Sequence, residues 1–566
     1  MLILGISDDH FESGVCLVQD GQVVFAANEE RYTRRKNQGG FPYQSLAGLL
    51  RYTGVKPQHI TDICLTGIMT PPLPKRLWPG LQRWLETVPQ QDESSWSQRG
   101  LDFLLHHTSI SHTEPGSKLP QWVKTILPTV VRSQLPPALQ AARIHLVEHH
   151  HAHACAAYYL SGYAKALAIT ADGMGDGLSL TISQCGDGQV ERRAWVSSRH
   201  SLGLFFEAMT AAFGFIPCRH EGKLTGLAAM GQADKVPVAP LFSYQNQQLQ
   251  YHGLRGKALV QWLRQELLAH YAREDVAAWA QRQLETSILA MAKDWLDRSG
   301  HNHLVLAGGV FANVTLNQKL HELAGVAKIF ICPNMGDGGL SLGAIAAQGG
   351  LASQRVSSVF WGEDFSVERM AKAISARGLS ALQPIAIAQN IAAALHQGKL
   401  VARYTGRMEW GPRALGHRSI LAKTTDRAIV QRLNQLLQRN DFMPFAPAAL
   451  AEELDQYILG LDGAEHAAEF MTICFQVTPA MQQQHPAVVH TDHTARMQAV
   501  HKETNPDFYA ILQAYKALSG QGMVLNTSFN IHEEPIVHTP EQAVHTFLQG
   551  GLDCLAMGPF WVEAPQ

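Results

Sequence analysis

One pattern occurs twice in this chain, and it constrains the fold more than any other feature. LILGI (2–6) is followed by SDDHFES, GVCLV (14–18), QDG and QVVFAA (22–27). ALAIT (166–170) is followed by ADGMGDG, LSLTI (178–182), SQCGDG and QVERRA. Each copy reads as strand, acidic turn, strand, Asp-Gly hairpin, strand. Asp8 and Asp172 close the first strand of each copy, and DGQV recurs at 20–23 and 187–190. Asp-Gly hairpins are common, so the tetrapeptide alone carries little weight. The repeated order of all five parts implies a duplicated unit.

Two meander-plus-helix units facing each other across a cleft form the actin-like α/β architecture. Both acidic turns would then point into the cleft, where they can meet phosphate and metal. With 566 residues the chain is too long for a single core. The expected division is an actin-like unit over 1–350, interrupted by a Pro- and Trp-rich insertion at 68–140, and a second α/β unit over 357–566. The insertion is expected to be partly helical and to pack, with some of it shaping an acceptor pocket.

Two glycine-rich turns follow in the second copy, in HLVLAGGVFANVTLNQKL (303–320) and IFICPNMGDGGLSLGAIAA (329–347). Glycines after a strand let backbone N–H groups approach a phosphate. Composition narrows the function classes. A net charge of −2, with no basic block, gives no footprint for nucleic acid or a membrane surface. Eight scattered cysteines without a CxxC point to a reducing compartment, so a cytoplasmic enzyme is expected.

Residues 148–154 read EHHHAHA, after the strand-like ARIHLV (142–147). On a helix, His149 and His153 stand at i and i+4 and can converge on one ion. His145 belongs to the strand and is excluded, while His150 and His151 point elsewhere, toward a phosphate or solvent. Carboxylates must complete the set, and the actin-like reading supplies Asp172 and Asp337. Two imidazoles and two carboxylates suit a borderline divalent ion such as Fe(II), Mn(II) or Zn(II). In the second half, GRMEWGPRALGHRSILA (406–422) gathers Arg407, Arg413 and Arg418 in a rigid turn suited to bidentate phosphate contacts.

Several long segments resemble the O-carbamoyltransferases of nodulation and antibiotic tailoring. They are NEERYTRRK (28–36), EHHHAHA…ADGMGDG, EGKLTGLAAMG (221–231), LAGGVFANVTLN (306–317) and NMGDGGLSLGA (334–344). The likeness runs along essentially the whole chain outside 68–140. It implies a YrdC-type second domain that makes carbamoyl-AMP from ATP (with Mg(II)) and carbamoyl phosphate. Matching positions there are Arg413, Arg418, Arg439, Arg496, Asn526 and Ser528, with Arg418 there and Asp172 in the first domain also assigned to catalysis. It further implies transfer in the actin-like domain, to a hydroxyl of a sugar or natural product, at the metal held by His149, His153, Asp172 and Asp337. Phosphate and nucleotide contacts there would be Lys36, Gly203, Glu221, Lys223, Gly309 and Asn313. His10 is the expected base for the acceptor hydroxyl. A homodimer is compatible with this reading.

The chain departs from the family pattern at Gln438 or Leu437, where lysine is common, at Glu533, where glycine is common, and at Asn37, where histidine is frequent. Other readings are weaker. A hydrogenase-maturation carbamoyltransferase would carry an acylphosphatase domain and CxxC zinc modules. A tRNA threonylcarbamoyl-transfer protein would be shorter, a small-molecule kinase would not need the paired histidines, and a scaffold would need neither constellation.

Overall fold

A computed structural model describes residues 1–71, Arg76, 121–437 and 445–565. Most of the expected insertion therefore lies outside the described residues, as do Arg439 and Gln438.

The first half holds two five-stranded sheets of identical plan. In the first, β1 (Leu2–Ser7), β2 (Gly14–Gln19) and β3 (Gln22–Asn28) form an antiparallel meander. β4 (Asp62–Thr66) then joins β1 in parallel, and β5 (Arg143–Val147) joins β4. In the second, β6 (Lys165–Gly175), β7 (Leu178–Gly186) and β8 (Gln189–Ser197) form the meander. A small hairpin, β9 (Phe242–Gln245) with β10 (Gln248–Tyr251), lies outside this sheet. β11 (His303–Ala307) and β12 (Lys328–Ile331) extend the second sheet in parallel beyond β6. Both sheets thus run third–second–first–fourth–fifth strand, as the duplication predicts.

The hairpins follow from backbone chemistry. Asp20-Gly21 and Asp187-Gly188 both take positive φ at the two central positions, the twist that Asp-Gly allows at low cost. The second acidic segment departs from the expected turn. β6 runs on to Gly175, and its pairing with β7 breaks between Ala171 and Gly175. Asp172 therefore stands in a bulge, and the reversal falls at Asp176-Gly177, again with positive φ at both.

In each copy a helix follows the fifth strand: His149–Ser161 after β5 and, after a glycine turn, Leu340–Ala347 after β12. They pack against each other between the two sheets, in a core that includes Ala152, Ala156, Leu340 and Ala344 together with Cys16, Ala168, Val305 and Phe330. Gly343 is required at the crossing, because a Cβ there would overlap the carbonyl of Ala152.

The second half is one seven-stranded sheet, built from β13 (Val401–Tyr404), β14 (Arg418–Ala422), β15 (Ala446–Leu450), β19 (Gln498–Val500), β20 (Met523–Ser528), β21 (Cys554–Met557) and β22 (Phe560–Glu563). Short strands β16 (Ile458–Leu459), β17 (Phe475–Val477) and β18 (Thr494–Ala495) form a separate sheet. Alternate residues of the large sheet face opposite ways. Val401, Leu421 and Val524 pack on the helices Ile387–His396 and Pro506–Ser519. Ala402, Ile420 and Leu525 belong to the core containing Ile429, Val544 and Phe547.

The NEERYTRRK segment joins the halves. Arg31 donates to the carbonyl of Gly411 at 2.7 Å, and Arg34 donates to those of Pro535 and Ile536, each at 2.7 Å. Arg407 answers from the second half with a bond to the carbonyl of Val24 at 2.8 Å. No helix among the described residues is long and apolar enough to cross a membrane.

Candidate functional site

The duplication brings four chain segments to one point. The histidine helix begins at Glu148, whose side chain caps it by accepting from the N–H of His151 at 2.7 Å. Asp176 fixes the same end, accepting N–H bonds from Ile68, Met69, Thr70 and His149. One turn apart, His149 and His153 are buried and aim Nε2 at the two carboxylates. Separations are 3.5 Å from His149 to Asp172 and 3.6 Å to Asp337, and 3.2 Å and 3.5 Å from His153 to the same pair. Donors bound tetrahedrally at about 2.0–2.1 Å lie roughly 3.4 Å apart, so this spacing suits one ion.

Three further observations favour a cation. Nε2 of His149 and Oδ1 of Asp337 are buried without a hydrogen-bond partner among the described residues, which is costly unless something else satisfies them. Nδ1 of His149 lies 3.1 Å from Oδ2 of Asp9, so a proton held there leaves the Nε2 lone pair free toward the centre. Charge is also unbalanced. Burial and the neighbouring Asp172 push the Asp337 carboxyl up to about 6. Burial raises Asp172 too, but the facing imidazoles of His149 and His153 outweigh that and hold it well below the carboxylate range.

The sequence reading missed several residues here. Asp9 was overshadowed by its neighbour Asp8, which is instead engaged by both Nε and Nη2 of buried Arg76 at 2.8 Å. Asp8 therefore does not face the cleft as a free acid. Glu12 and Glu207 flank the centre as half-buried carboxyls pushed up to about 7. Burial is the first cause for both, followed by Glu30 and Asp337 for Glu12, and by Glu221 and Asp172 for Glu207. No spacing rule marks them, because only the fold brings them near. His10 follows Asp9, and its backbone N–H donates to that carboxylate at 2.6 Å. His145 lies on β5 and contacts Asp62 at 2.8 Å, outside the metal set as expected.

His150 is a correction to the solvated alternative. It is fully buried, bonds to Thr170 Oγ1 at 2.8 Å, and is held neutral by burial and by the charges of His149 and His153. His151 is half-buried, with Nε2 3.7 Å from Cys155 Sγ.

The expected phosphate contacts of the first half divide. Gly203 and Gly309 both lie against Asp172, at its backbone and at Oδ1 respectively, and a Cβ would sit 2.6 Å and 3.0 Å away. They permit close approach to the bulge. Asn313 has a structural role. Its Oδ1 caps the helix Val314–His321 and its Nδ2 bonds Gln281 at 2.8 Å. Glu221 accepts the N–H of Cys218 at 2.6 Å, and Lys223 sits beside His532 at 3.4 Å. Lys36 is tied to the same region through its carbonyl, which accepts from Arg219 at 3.1 Å.

In the second half the PRALGHR loop is held from beneath. Glu409 accepts the N–H groups of Leu415, His417 and Arg418 at 3.0, 2.9 and 3.1 Å. Gln498 and Asn505 donate to the carbonyl of Leu415, and Asn526 to that of Ala414. Asn526 is thus a brace for the loop, and Ser528 pairs with Ser419 at the end of β20. Arg418 departs from its expected role. It is wholly buried, stacks 3.8 Å from the Tyr404 ring, and directs its guanidinium at the carbonyls of Thr405, Gly406 and His417.

Arg413 and Arg496 differ from Arg418. Like Arg418, neither forms an ion pair with a carboxylate among the described residues and each has a buried Nε without a partner, but no backbone carbonyl among the described residues engages their guanidinium groups as Thr405, Gly406 and His417 engage that of Arg418. Burial and mutual repulsion drive the Arg413 pKa well below the guanidinium range. Two such cations close together, without a carboxylate partner among the described residues, have the chemistry to receive an anion.

Comparison with known proteins agrees with this two-part layout. The family model described as carbamoyltransferase N-terminus matches residues 2–346, and that described as carbamoyltransferase C-terminus matches 392–564. Nodulation protein NolNO of Sinorhizobium fredii is 29% identical over 571 residues, covering 98% of this chain and 79% of that protein. The 3'-hydroxymethylcephem-O-carbamoyltransferase of Amycolatopsis lactamdurans is 29% identical over 263 residues, 46% of this chain and 48% of that one. An uncharacterized protein of Methanocaldococcus jannaschii, MJ1051, is 29% identical over 581 residues and 99% of both chains. With models for both halves matched in order along one chain, this protein belongs to the carbamoyltransferase family of enzymes.

Proposed function

We propose that the chain is an ATP-dependent O-carbamoyltransferase with divided labour. The second half, read as a YrdC-type domain over 357–566, would convert ATP, carbamoyl phosphate and one water to carbamoyl-AMP, pyrophosphate and phosphate. The first half, read as an actin-like domain over 1–350, would pass the carbamoyl group to a hydroxyl of a small-molecule acceptor and release AMP. Activation is needed because an aliphatic hydroxyl is a weak nucleophile, and AMP is a better leaving group than phosphate.

The observation that carries this reading is the convergence of His149, His153, Asp172 and Asp337, whose ligand atoms all lie within 4.8 Å of one another. A divalent ion held there, Fe(II) by preference, supplies Lewis-acid polarisation of a carbonyl. Asp9 orients His149, and Glu148 and Asp176 hold the helix start rigid. His10 and Glu12 are the groups on hand to accept the proton of the acceptor hydroxyl. In the second half, Arg413 and Arg496 supply unpaired positive charge for phosphate groups, and Arg418 supports their loop as a positioning residue.

The division is tested with two variants and two assays. His10→Ala should slow carbamoyl transfer while ATP–pyrophosphate exchange, dependent on carbamoyl phosphate, persists. Arg413→Ala should lose the exchange while transfer from preformed carbamoyl-AMP survives. Equal loss of both activities in both variants would reject the division. Mass spectrometry on a panel of hydroxylated metabolites, seeking the gain of one carbamoyl group, identifies the acceptor.

A further inference from the structure

Away from the metal centre, a second constellation lies where the halves meet. Oε1 of Glu533 accepts from Nε2 of His220 at 2.7 Å and lies 3.1 Å from Nε2 of His532. Nζ of Lys223 is 3.4 Å from that same His532 nitrogen, and the charge of Lys36 acts on both Glu533 and Lys223. Four basic side chains, from three separate segments, thus surround one carboxylate.

His220, His532 and Glu533 have the spacing of a metal site, but their protons oppose it. Nδ1 of His220 accepts the N–H of Ile216 at 3.1 Å. The ring proton therefore sits on Nε2, which donates to Glu533 and offers no lone pair to an ion. A lysine ammonium beside His532 would repel a cation as well. The constellation is a seat for an anion.

Glu533 fits that seat at some cost. Its backbone lies at φ 66, in the left-handed region that disfavours side-chain-bearing residues. Its second oxygen, Oε2, is buried with no hydrogen-bond partner among the described residues, so the carboxylate satisfies only half its capacity. A phosphate oxyanion, with more acceptor oxygens and more charge, matches this basic cluster better.

We propose that Glu533 is an internal counter-anion occupying a phosphate-binding seat formed by Lys36, His220, Lys223 and His532, and that a phosphate-bearing ligand must displace it to bind. The inference rests on reading Lys36 and Lys223 as phosphate contacts, and the test separates the two claims. Binding of AMP and of inorganic phosphate to the full chain is measured by calorimetry. Glu533→Gln, which keeps size and an acceptor for His220, should tighten AMP binding about tenfold. Glu533→Gly, suited to the positive φ, should do the same and guards against a folding defect in the first variant. Adding Lys223→Met should cancel the gain.

Tightening of both ligands supports a seat for any phosphate; tightening of AMP alone supports one reserved for a nucleotide phosphate. If Lys223→Met weakens AMP binding but neither Glu533 variant strengthens it, the displacement is refuted and the phosphate contact stands. If Lys223→Met has no effect in any background, the seat itself is refuted.

Discussion

Asp9 illustrates how a residue without a ligand role controls one that has it. Its carboxylate is held near pKa 2, burial opposing and the His149 hydrogen bond prevailing, and it sets which His149 nitrogen faces the centre. Asp9→Asn should leave the fold intact and lower metal affinity about 10- to 100-fold in a metal-competition titration. His149→Ala combined with His153→Ala should abolish stoichiometric metal; full transfer activity in that metal-free variant would overturn the ligand assignment. Arg418 behaves differently because its partners are backbone carbonyls. Arg418→Met should destabilise the chain by about 3 kcal/mol, read as a lower urea midpoint. Of these residues, the His149/His153 pair was legible from i,i+4 spacing. Asp9 was not, since adjacent aspartates in a turn look alike until the chain decides which one meets a histidine 140 residues away.

At the scale of elements, the site depends on two helices crossing at fixed distance. Each follows the fifth strand of its sheet, so the internal duplication itself sets Asp337 opposite the histidines. Gly343→Ala places a methyl on the Ala152 carbonyl and must push the helices apart. The expected result is loss of more than about 3 kcal/mol of stability, with metal affinity falling in whatever folded fraction remains. A variant that binds metal normally would show that the crossing has slack. The hairpins and strand order could be read in advance because Asp-Gly and alternating apolar residues act over a few positions. The Asp172 bulge could not, since pairing between β6 and β7 is lost only where Gly203 and Gly309 bring other segments against it.

For the whole molecule, acid should weaken the folded state through histidines that burial holds neutral, His466 and His485 among them. His466 bonds to the Val356 carbonyl at 2.7 Å and stacks on Phe330, and His485 lies against Thr424 at 2.6 Å. Burial, aided for His466 by Arg355, lowers their folded pKa values to about 3 and about 4. An unfolded histidine takes up its proton near pH 6.5, so between that value and the folded pKa only the unfolded chain is protonated. Stability is complete above about pH 6.5 and falls below it, on the order of 1.4 kcal/mol per pH unit for each group. Urea midpoints from pH 7 to 5 should show this decline, and His466→Gln should flatten it; an unchanged slope would assign the decline to other groups. What the sequence by itself determined were features of short range or internal repetition: the duplicated meander, the Asp-Gly turns, the paired imidazoles and the arginine-rich loop. Tertiary structure alone decided which acid stands behind His149, which arginine lies free of carbonyls, and what surrounds Glu533. Those outcomes depend on burial and on contacts between segments hundreds of residues apart, where a side chain's chemistry is set by neighbours its own sequence does not name.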